Sequence, residues 1–469
     1  MEAAGYQTRR GDIKRVNGKG ESMTFETKGK ENNGATYGRR SDWQDLYSIA
    51  KKYYEALLVD PGNALFHLTD PRGASDKSGR TFNNPYQYFF EQMHMDDAIY
   101  ADESIYEYPM QQGGGNDGRP YSFGRPSSGG SKAAYPCKSY GQGRINPAYF
   151  YGVFDPNDMR RDVSITMTGS NGKGVEKLIP FVPNSKAEGG GLTLNKWDEN
   201  RQANPWVAAQ RKSGINGPYM RMSEVYLGYA EVCAALGDVV TGKQYLKTVR
   251  ERSFPQGLAN TDAFIASFGN DLVRAIIEER GFEYAGEGDR RWTLIRSGYL
   301  PEDIKRIKDM TKAMMDGLAT KGYYEFENGN IISAYIWTKL VDAKTIYGHR
   351  LTAQCPTDKV NDPVLYPGWR GQKDNWEEMG LNYGSSTPAT NLAIKGLFEI
   401  VSEEEAASLE SQGYTKVNWG IDLVDNRDEY DKYLFWDYDY VSAPIYLWPF
   451  TPNVMAAGGF TNGYGFKQE

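Results

Sequence analysis

The chain has 469 residues, 39% of them hydrophobic and 25% charged, a globular balance that excludes wholesale disorder. Its net charge of -7 argues against a nucleic-acid ligand, whose phosphates need a basic surface, and makes acidic polymers poor partners. Length alone points to roughly three domain-sized units unless stacked repeats share one continuous core.

Tyrosine (34), tryptophan (10) and glycine (52) are plentiful, while histidine and cysteine are scarce. Aromatics with a polar handle suit a surface where an apolar face meets a wet ligand, so the composition leans towards binding. Cys137, Cys233 and Cys355 lie far apart and form neither a disulfide framework nor a metal motif. Cys233 sits within a helical pattern and reads as a small core residue. No apolar run approaches the ~20 residues a membrane span requires, and Met1 opens a polar stretch rather than a signal peptide.

Residues 1–40 show no periodicity and are expected to be irregular. The first helix should open at Ser41, where S-D-W-Q has capping-box spacing to Gln44, with Trp43, Leu46, Tyr47, Ala50, Tyr54 and Leu57 at helical intervals until Asp60-Pro61-Gly62. A second runs from about Pro218 to Leu236, carrying Met222, Val225, Tyr229, Val232, Cys233 and Leu236 on one stripe. Gly237-Asp238 punctuates it before a third helix with Tyr245, Leu246 and Val249 inward. This helix, Leu-Gly-Asp turn, helix pattern is that of a tetratricopeptide hairpin, which must stack on others to bury its stripe. A fourth helix is expected from about Asp262 past Arg280 towards Arg290. Gly113–Lys132 and Ser185–Gly191 read as loops, and Asn328-Gly329 in YYEFENGNIISAYIW marks a hairpin whose two turn residues need positive φ.

The stretch from Glu278 to Gly298 is the most informative. Glu279, Glu283, Glu287 and Arg290 fall at steps of four, four and three, which on a helix is one face where charges pair. Gly286 and Gly288 allow close packing or a left-handed cap. Acid/base pairs come from facing elements across a cleft, so these ladder-spaced acids read as architecture.

This stretch resembles the SusD/RagB pattern E-R-x-x-E-L-x-x-E-G-x-R through Glu279, Arg280, Glu283, Glu287, Gly288 and Arg290, with Tyr284 in the Leu position. Trp292 and Leu294 fit its continuation, while Thr293 stands where the family has Asp. Upstream, Arg221, Glu224, Tyr229, Ala230, Glu231, Leu236 and Gly237 resemble the family's R-x-A-E-V helix. Phe154-Asp155-Pro156 with Arg160-Arg161-Asp162 resembles its D-P-R-R-D stretch, and Pro449, Gly463 and Tyr464 resemble its closing segment.

The resemblance implies a mainly α fold of stacked tetratricopeptide-like helix pairs with small β-hairpins. Residues 41–469 would form a single body whose irregular, ligand-binding half carries long loops at about 110–215 and 300–440. It further implies a cell-surface, lipid-anchored outer-membrane protein that captures oligosaccharide, or less readily peptide, and acts without catalysis as the lid of a SusC-like TonB-dependent barrel transporter. The family's secretion signal, lipid-bearing cysteine and first helical repeats find no counterpart here, so the chain reads as a mature or shortened form. Two alternatives are a glycoside hydrolase with a two-carboxylate cleft and a peptide-binding helical-repeat protein.

Sugars pair aromatic platforms with a few polar groups. Loop aromatics are the better candidates: Tyr366, Trp369, Arg370, Asn375 and Trp376 form one cluster, and Tyr86 and Tyr88, beside Phe89 and Gln92, a second. Trp43, Tyr229 and Trp292 sit in periodic or motif positions and are expected in the core. Trp337 and Tyr335 lie in the hairpin and are expected to be packed as well. His67, His94 and His349 lack ligand spacing. Asp437 and Asp439 offer too few oxygens for structural calcium and read as a solvated strand face. No cofactor motif is present.

Overall fold

A computed structural model describes residues 1–10, 14–17, 19–71, 84–94, 100–115, 118–127, 138–170, 176–182, 190–199, 202, 206, 208–342, 390–428 and 441–466. The amino-terminal 40 residues are not irregular throughout, since a sheet forms among those described. Strands β1 (Gln7–Arg10), β2 (Phe25–Asn32) and β3 (Ala35–Arg40) form an antiparallel sheet in the order β1-β3-β2. Asn33 and Gly34 both take positive φ, 48° and 77°, the geometry that lets a two-residue turn follow strand twist. β2 is largely exposed on both faces and so shows no hydrophobic alternation.

Helix α1 (Trp43–Val59) follows. Its N-cap is Asp42, not Ser41, so Gln44 falls at N2 and the expected capping box is out of register, while Arg40 occupies the Asp42 carboxylate in a two-bond fork at 2.7 and 2.6 Å. Helix α2 (Pro85–Gln92) is capped by the Asn84 side chain. Strand β4 (Ser104–Tyr108), the short α3 (Gly118–Phe123) and α4 (Arg160–Ser164) lead to paired strands β5 (Ile165–Thr166), β6 (Thr168–Ser170), β7 (Glu176–Leu178) and β8 (Thr193–Leu194).

The helix expected from Pro218 instead begins at Met222. Residues Gly217–Arg221 are strand β9, antiparallel to β4, and Arg221 is still extended at φ -136°. Pro218 has no N–H to give a helix but loses little at the edge of a two-stranded ribbon. Helices α5 (Met222–Ala235) and α6 (Val239–Arg252) then form the expected hairpin, with Asp238 capping α6 through Thr241.

The fourth helix is three. α7 (Thr261–Ala266), α8 (Leu272–Glu283) and α9 (Asp289–Ser297) are separated by Asn270 at φ 65° and by Gly286 and Gly288 at 81° and 92°. α5 buries Leu227 and Ala230 against Leu246 and Val249 of α6 and Ala275 and Ile276 of α8. Its other side packs Tyr229, Val232 and Cys233 on Tyr47 of α1. Gly228 lets α1 approach, since a Cβ there would sit 2.4 Å from the Tyr54 ring. This is helix-on-helix stacking of the tetratricopeptide kind.

Much of the described part of the expected loop at 300–440 is regular structure. α10 (Leu300–Lys321) is followed by β10 (Tyr323–Glu325) and β11 (Ile331–Ser333), then by a sheet of β12 (Tyr335–Asp342), β13 (Thr390–Lys395) and β14 (Thr415–Asn418) in the order β13-β12-β14. The hairpin exists, but only Gly329 takes positive φ, 83°. Asn328 instead uses its side-chain amide to donate to the Tyr151 and Phe154 carbonyls at 2.8 and 2.7 Å. A second core lies here, where Met314, Met315 and Leu318 of α10 meet Phe150, Phe154, Phe181, Ile336 and Trp419. The Trp419 indole donates to the Tyr151 hydroxyl at 2.8 Å, which satisfies its one polar atom.

Gly288 stands in open space at φ 92°, so a substitution there tests backbone conformation alone. Gly288→Ala is expected to cost about 1–2 kcal/mol, read as a lowered urea midpoint at unchanged slope.

Candidate functional site

The motif acids do not share one helical face. α8 ends at Glu283, and the left-handed Gly286 and Gly288 carry Glu287 round a corner before α9 begins. Glu283 and Glu287 converge on Arg221, at 2.5 and 3.0 Å, whereas Arg290 turns away to Glu278 and Asp303 at 2.7 and 3.0 Å. The spacing suggested ladder pairs within the segment; the observed partners come mostly from distant segments.

Glu283 is fully buried and meets three guanidinium groups: Arg221, Arg252 at 2.8 Å and Arg160 at 3.1 Å. Arg160, from the D-P-x-x-x-R-R-D stretch at α4, also holds Asp158 at 2.6 Å and Glu279 at 2.7 Å. Arg250 and Arg252, in the last turn of α6, reach Glu279 at 3.0 Å and Glu103 at 2.6 Å. Burial by itself would raise the Glu283 carboxyl, but the surrounding Arg221, Arg252 and Arg160 hold it far below the usual range. Burial pushes the Lys196 ammonium down to about 8, even with Glu287 at 2.6 Å. Arg280 binds Glu224 and Asp289, each at 2.5 Å. Thr293, standing where the family pattern has Asp, accepts from Arg280 at 3.3 Å and donates to Asp289 at 2.9 Å, so its hydroxyl joins the same network.

The network therefore ties the α5–α6 hairpin, α8, α4 and the β4–β9 ribbon together. Glu103, Glu279, Glu283 and Glu287 are 0–7% exposed at their side chains. Chemically it is a brace: Glu103, Glu279, Glu283 and Glu287 are each paired with buried cations.

Of the sequence-predicted contacts, Tyr366, Trp369, Arg370, Asn375 and Trp376 lie outside the described residues, as do Asp437 and Asp439. Tyr86 is not a surface platform. It is fully buried, its hydroxyl donates to the Glu283 carbonyl at 2.7 Å, and its ring lies 5.2 Å from the Lys196 ammonium. Tyr88 is half-buried, accepts from Gln92 at 2.9 Å and sits edge-on to His67. Trp292, expected in the core, is 55% exposed, whereas Trp337 and Tyr229 are buried and Trp43 is half-buried under Arg39. Among the described residues, no group of three or more His, Cys, Asp or Glu is arranged to hold a metal ion, and no helix is long and apolar enough to cross a membrane.

Sequence reading missed an exposed tyrosine face. Tyr106 and Tyr108 on β4 and Tyr219 on β9 are 53%, 50% and 69% exposed, with ring centroids 5.5–6.2 Å apart. Tyr106 and Tyr108 are two residues apart and so share a strand face. The alternation in Ser104–Tyr108 carried that signal. The ribbon beneath is rigidly held: Glu107 is buried and accepts from the Ala101 amide at 3.0 Å and from Asn216 at 2.9 Å, Ile105 and Met220 pack against Met222 and Val225, and Arg221 ends β9 inside the charge network. Three amphipathic rings on a braced ribbon make a contact surface that loses little side-chain freedom on binding.

Stacked helix pairs around a buried ion network, with aromatics turned to solvent, define a helical-repeat protein with the parts of a binding surface. A sequence model of the SusD family, SusD_RagB, matches residues 64–449, and the chain belongs to that family. A SusD-like protein P25 of Formosa agariphila is 28% identical over 160 residues, covering 34% of this chain and 26% of that one. A SusD homologue of Bacteroides thetaiotaomicron is similar in structure, at 18% identity and a TM-score of 0.36, covering 56% of this chain and 50% of that one. Surface glycan-binding protein A of the same organism, in complex with laminarihexaose, is 18% identical with a TM-score of 0.35, covering 55% and 52%. The chain thus spans about a quarter of the curated relative and about half of those structures.

Proposed function

We propose that this protein is a cell-surface glycan-binding subunit that captures oligosaccharide and hands it to a TonB-dependent barrel transporter in the outer membrane, acting as its lid and performing no chemistry. Membership of the SusD family over residues 64–449 carries the reading. The exposed Tyr106, Tyr108 and Tyr219 support it, because sugar C–H faces stack on such rings while ring hydroxyls meet sugar hydroxyls. The buried pairing of Glu279, Glu283 and Glu287 weighs against the two-carboxylate hydrolase. Anchoring would be through an amino-terminal lipid. Modest affinity suits the role, since release must follow capture.

Titration calorimetry with a panel of neutral oligosaccharides tests this. Tyr106→Ala with Tyr219→Ala is expected to weaken binding about 5- to 100-fold, two stacking contacts at about 0.5–1.5 kcal/mol each. Trp369→Ala with Trp376→Ala is expected to weaken it as well, those residues with Tyr366, Arg370 and Asn375 being proposed contacts of the 343–389 region. Release of reducing ends by the purified protein would overturn the non-catalytic reading, and absence of binding across the panel would overturn the glycan reading.

A further inference from the structure

Between the α8–α9 junction, the start of α10 and residues 144–149 lies a cavity of about 450 Å³. That is within the ~300–1,000 Å³ of small-molecule sites. Its walls are mostly apolar, supplied by Ile145, Pro147, Tyr149, Phe181 and Ile307. Tyr149 is fixed by donating to the Gly281 carbonyl at 2.7 Å. Gly281 itself leaves room for a cation, since a Cβ there would come within 2.8 Å of the Arg290 Nη1.

The polar lining is Arg144, Asn146, Arg290, Asp303 and Arg306, the last three tied to Glu278 and Arg274 behind them in one ion cluster. Glu278 and Asp303 face Arg274, Arg290 and Arg306, at 2.7–3.5 Å, so guanidinium groups outnumber carboxylates by one. The acids lie inside, with Glu278 side-chain exposure of 2% and Asp303 of 11%, while Arg290 and Arg306 reach outward at 24% and 33%. Arg306 spends Nε and Nη2 on the two acids, and its Nη1 makes no hydrogen bond among the described residues. An excess positive charge with the Arg306 Nη1 donors unspent, over an apolar pocket, matches a small anion on a flat body.

We infer that this cavity binds a small carboxylate carried on a six-membered ring, with the carboxylate on Arg306 and the ring between Pro147, Phe181 and Ile307. The site is separate from the tyrosine face and does not depend on the glycan reading. The same chemistry is offered by a hexuronic acid and by an aromatic acid, and the experiment separates them.

Saturation-transfer NMR and calorimetry on the full chain would compare glucuronate with glucose, and 4-hydroxybenzoate with 4-hydroxybenzamide. The acids are expected to bind in the millimolar range or better, about tenfold or more tighter than their neutral counterparts. Arg306→Gln should bring the acid down to the neutral level. Ile307→Trp, which fills the pocket, should abolish both. Preference for glucuronate would identify an acidic sugar, and preference for the benzoate an aromatic acid. Equal binding of acid and neutral forms, no binding of either acid by about 10 mM, or binding that survives Ile307→Trp would overturn the assignment. Should either variant fail to fold, the comparison of acid with neutral ligand on the unmodified protein still decides.

Discussion

Glu283→Ala is expected to destabilise the protein by about 3–5 kcal/mol, because it strips one shared acceptor from Arg160, Arg221 and Arg252 and leaves buried guanidinium charge under-compensated. Three features make the effect large. The carboxylate is wholly buried, so water cannot substitute for it. Each of its oxygens accepts from a charged donor, and such bonds are worth more than neutral ones. The three arginines come from α4, the end of β9 and the end of α6, so one deletion loosens three elements together. By contrast, Asp309→Ala removes an exposed pair with Lys305 and should change stability by less than about 0.5 kcal/mol. Urea titration of both variants checks the contrast. Because Arg221 closes the ribbon that carries Tyr219, Glu283→Ala should also speed amide exchange in Ser104–Tyr108 and Gly217–Arg221. Equal, small losses in the two variants would show that the network is not a brace.

The α5–α6 hairpin was legible because its stripe is buried and bounded by a Gly-Asp stop: Met222, Val225, Tyr229 and Val232 of α5 recur at helical spacing, as do Leu246 and Val249 of α6. The β2–β3 hairpin was not, since Lys28, Lys30 and Glu31 mask any alternation, although Asn33-Gly34 was a turn signal in plain view. α10 carried Ile307, Thr311, Met314, Met315 and Leu318 at helical spacing, yet its neighbours are so heavily charged that the segment read as surface loop. Periodicity also misled. Glu279, Glu283, Glu287 and Arg290 fit one helix face on paper, but two glycines end the helix, and pairing was decided by arginines distant in sequence, which spacing does not reveal. For the same reason Tyr86 read as a loop aromatic: its burial depends on Arg221 and Lys196 packing over its ring. Conversely, Trp292 holds a motif position, and its ring faces solvent while Leu294 and Ile295 beside it are buried.

Buried acid–arginine pairs, Glu231 with Arg296 among them, make acid the condition that most weakens this fold. Burial acts to raise the carboxyls of Glu103, Glu231, Glu278, Glu283, Asp289 and Asp303, yet neighbouring arginines outweigh it and hold all six below the usual carboxylate range. In the unfolded chain these groups regain ordinary affinities near pH 4. Below that range the unfolded state takes up protons that the folded state refuses, so stability falls with pH; above it, the stabilisation is fully present and the curve is flat. Each unit of depression is worth about 1.4 kcal/mol, and with several coupled groups the loss between about pH 5 and about pH 3 should amount to several kcal/mol. Added salt should change it little, because buried pairs are poorly screened. Lys196 acts at the other end: burial lowers it to about 8, so charging it is costlier in the folded state, and its contribution grows as pH rises from about 8 towards its ordinary value near 10.4. Urea midpoints measured from about pH 7 down to about pH 3 should therefore drop steeply below about pH 5, and Glu283→Gln should flatten the drop by removing one titrating member. A midpoint that stays level to about pH 3 would mean that these acids are not held by their arginines as the geometry requires.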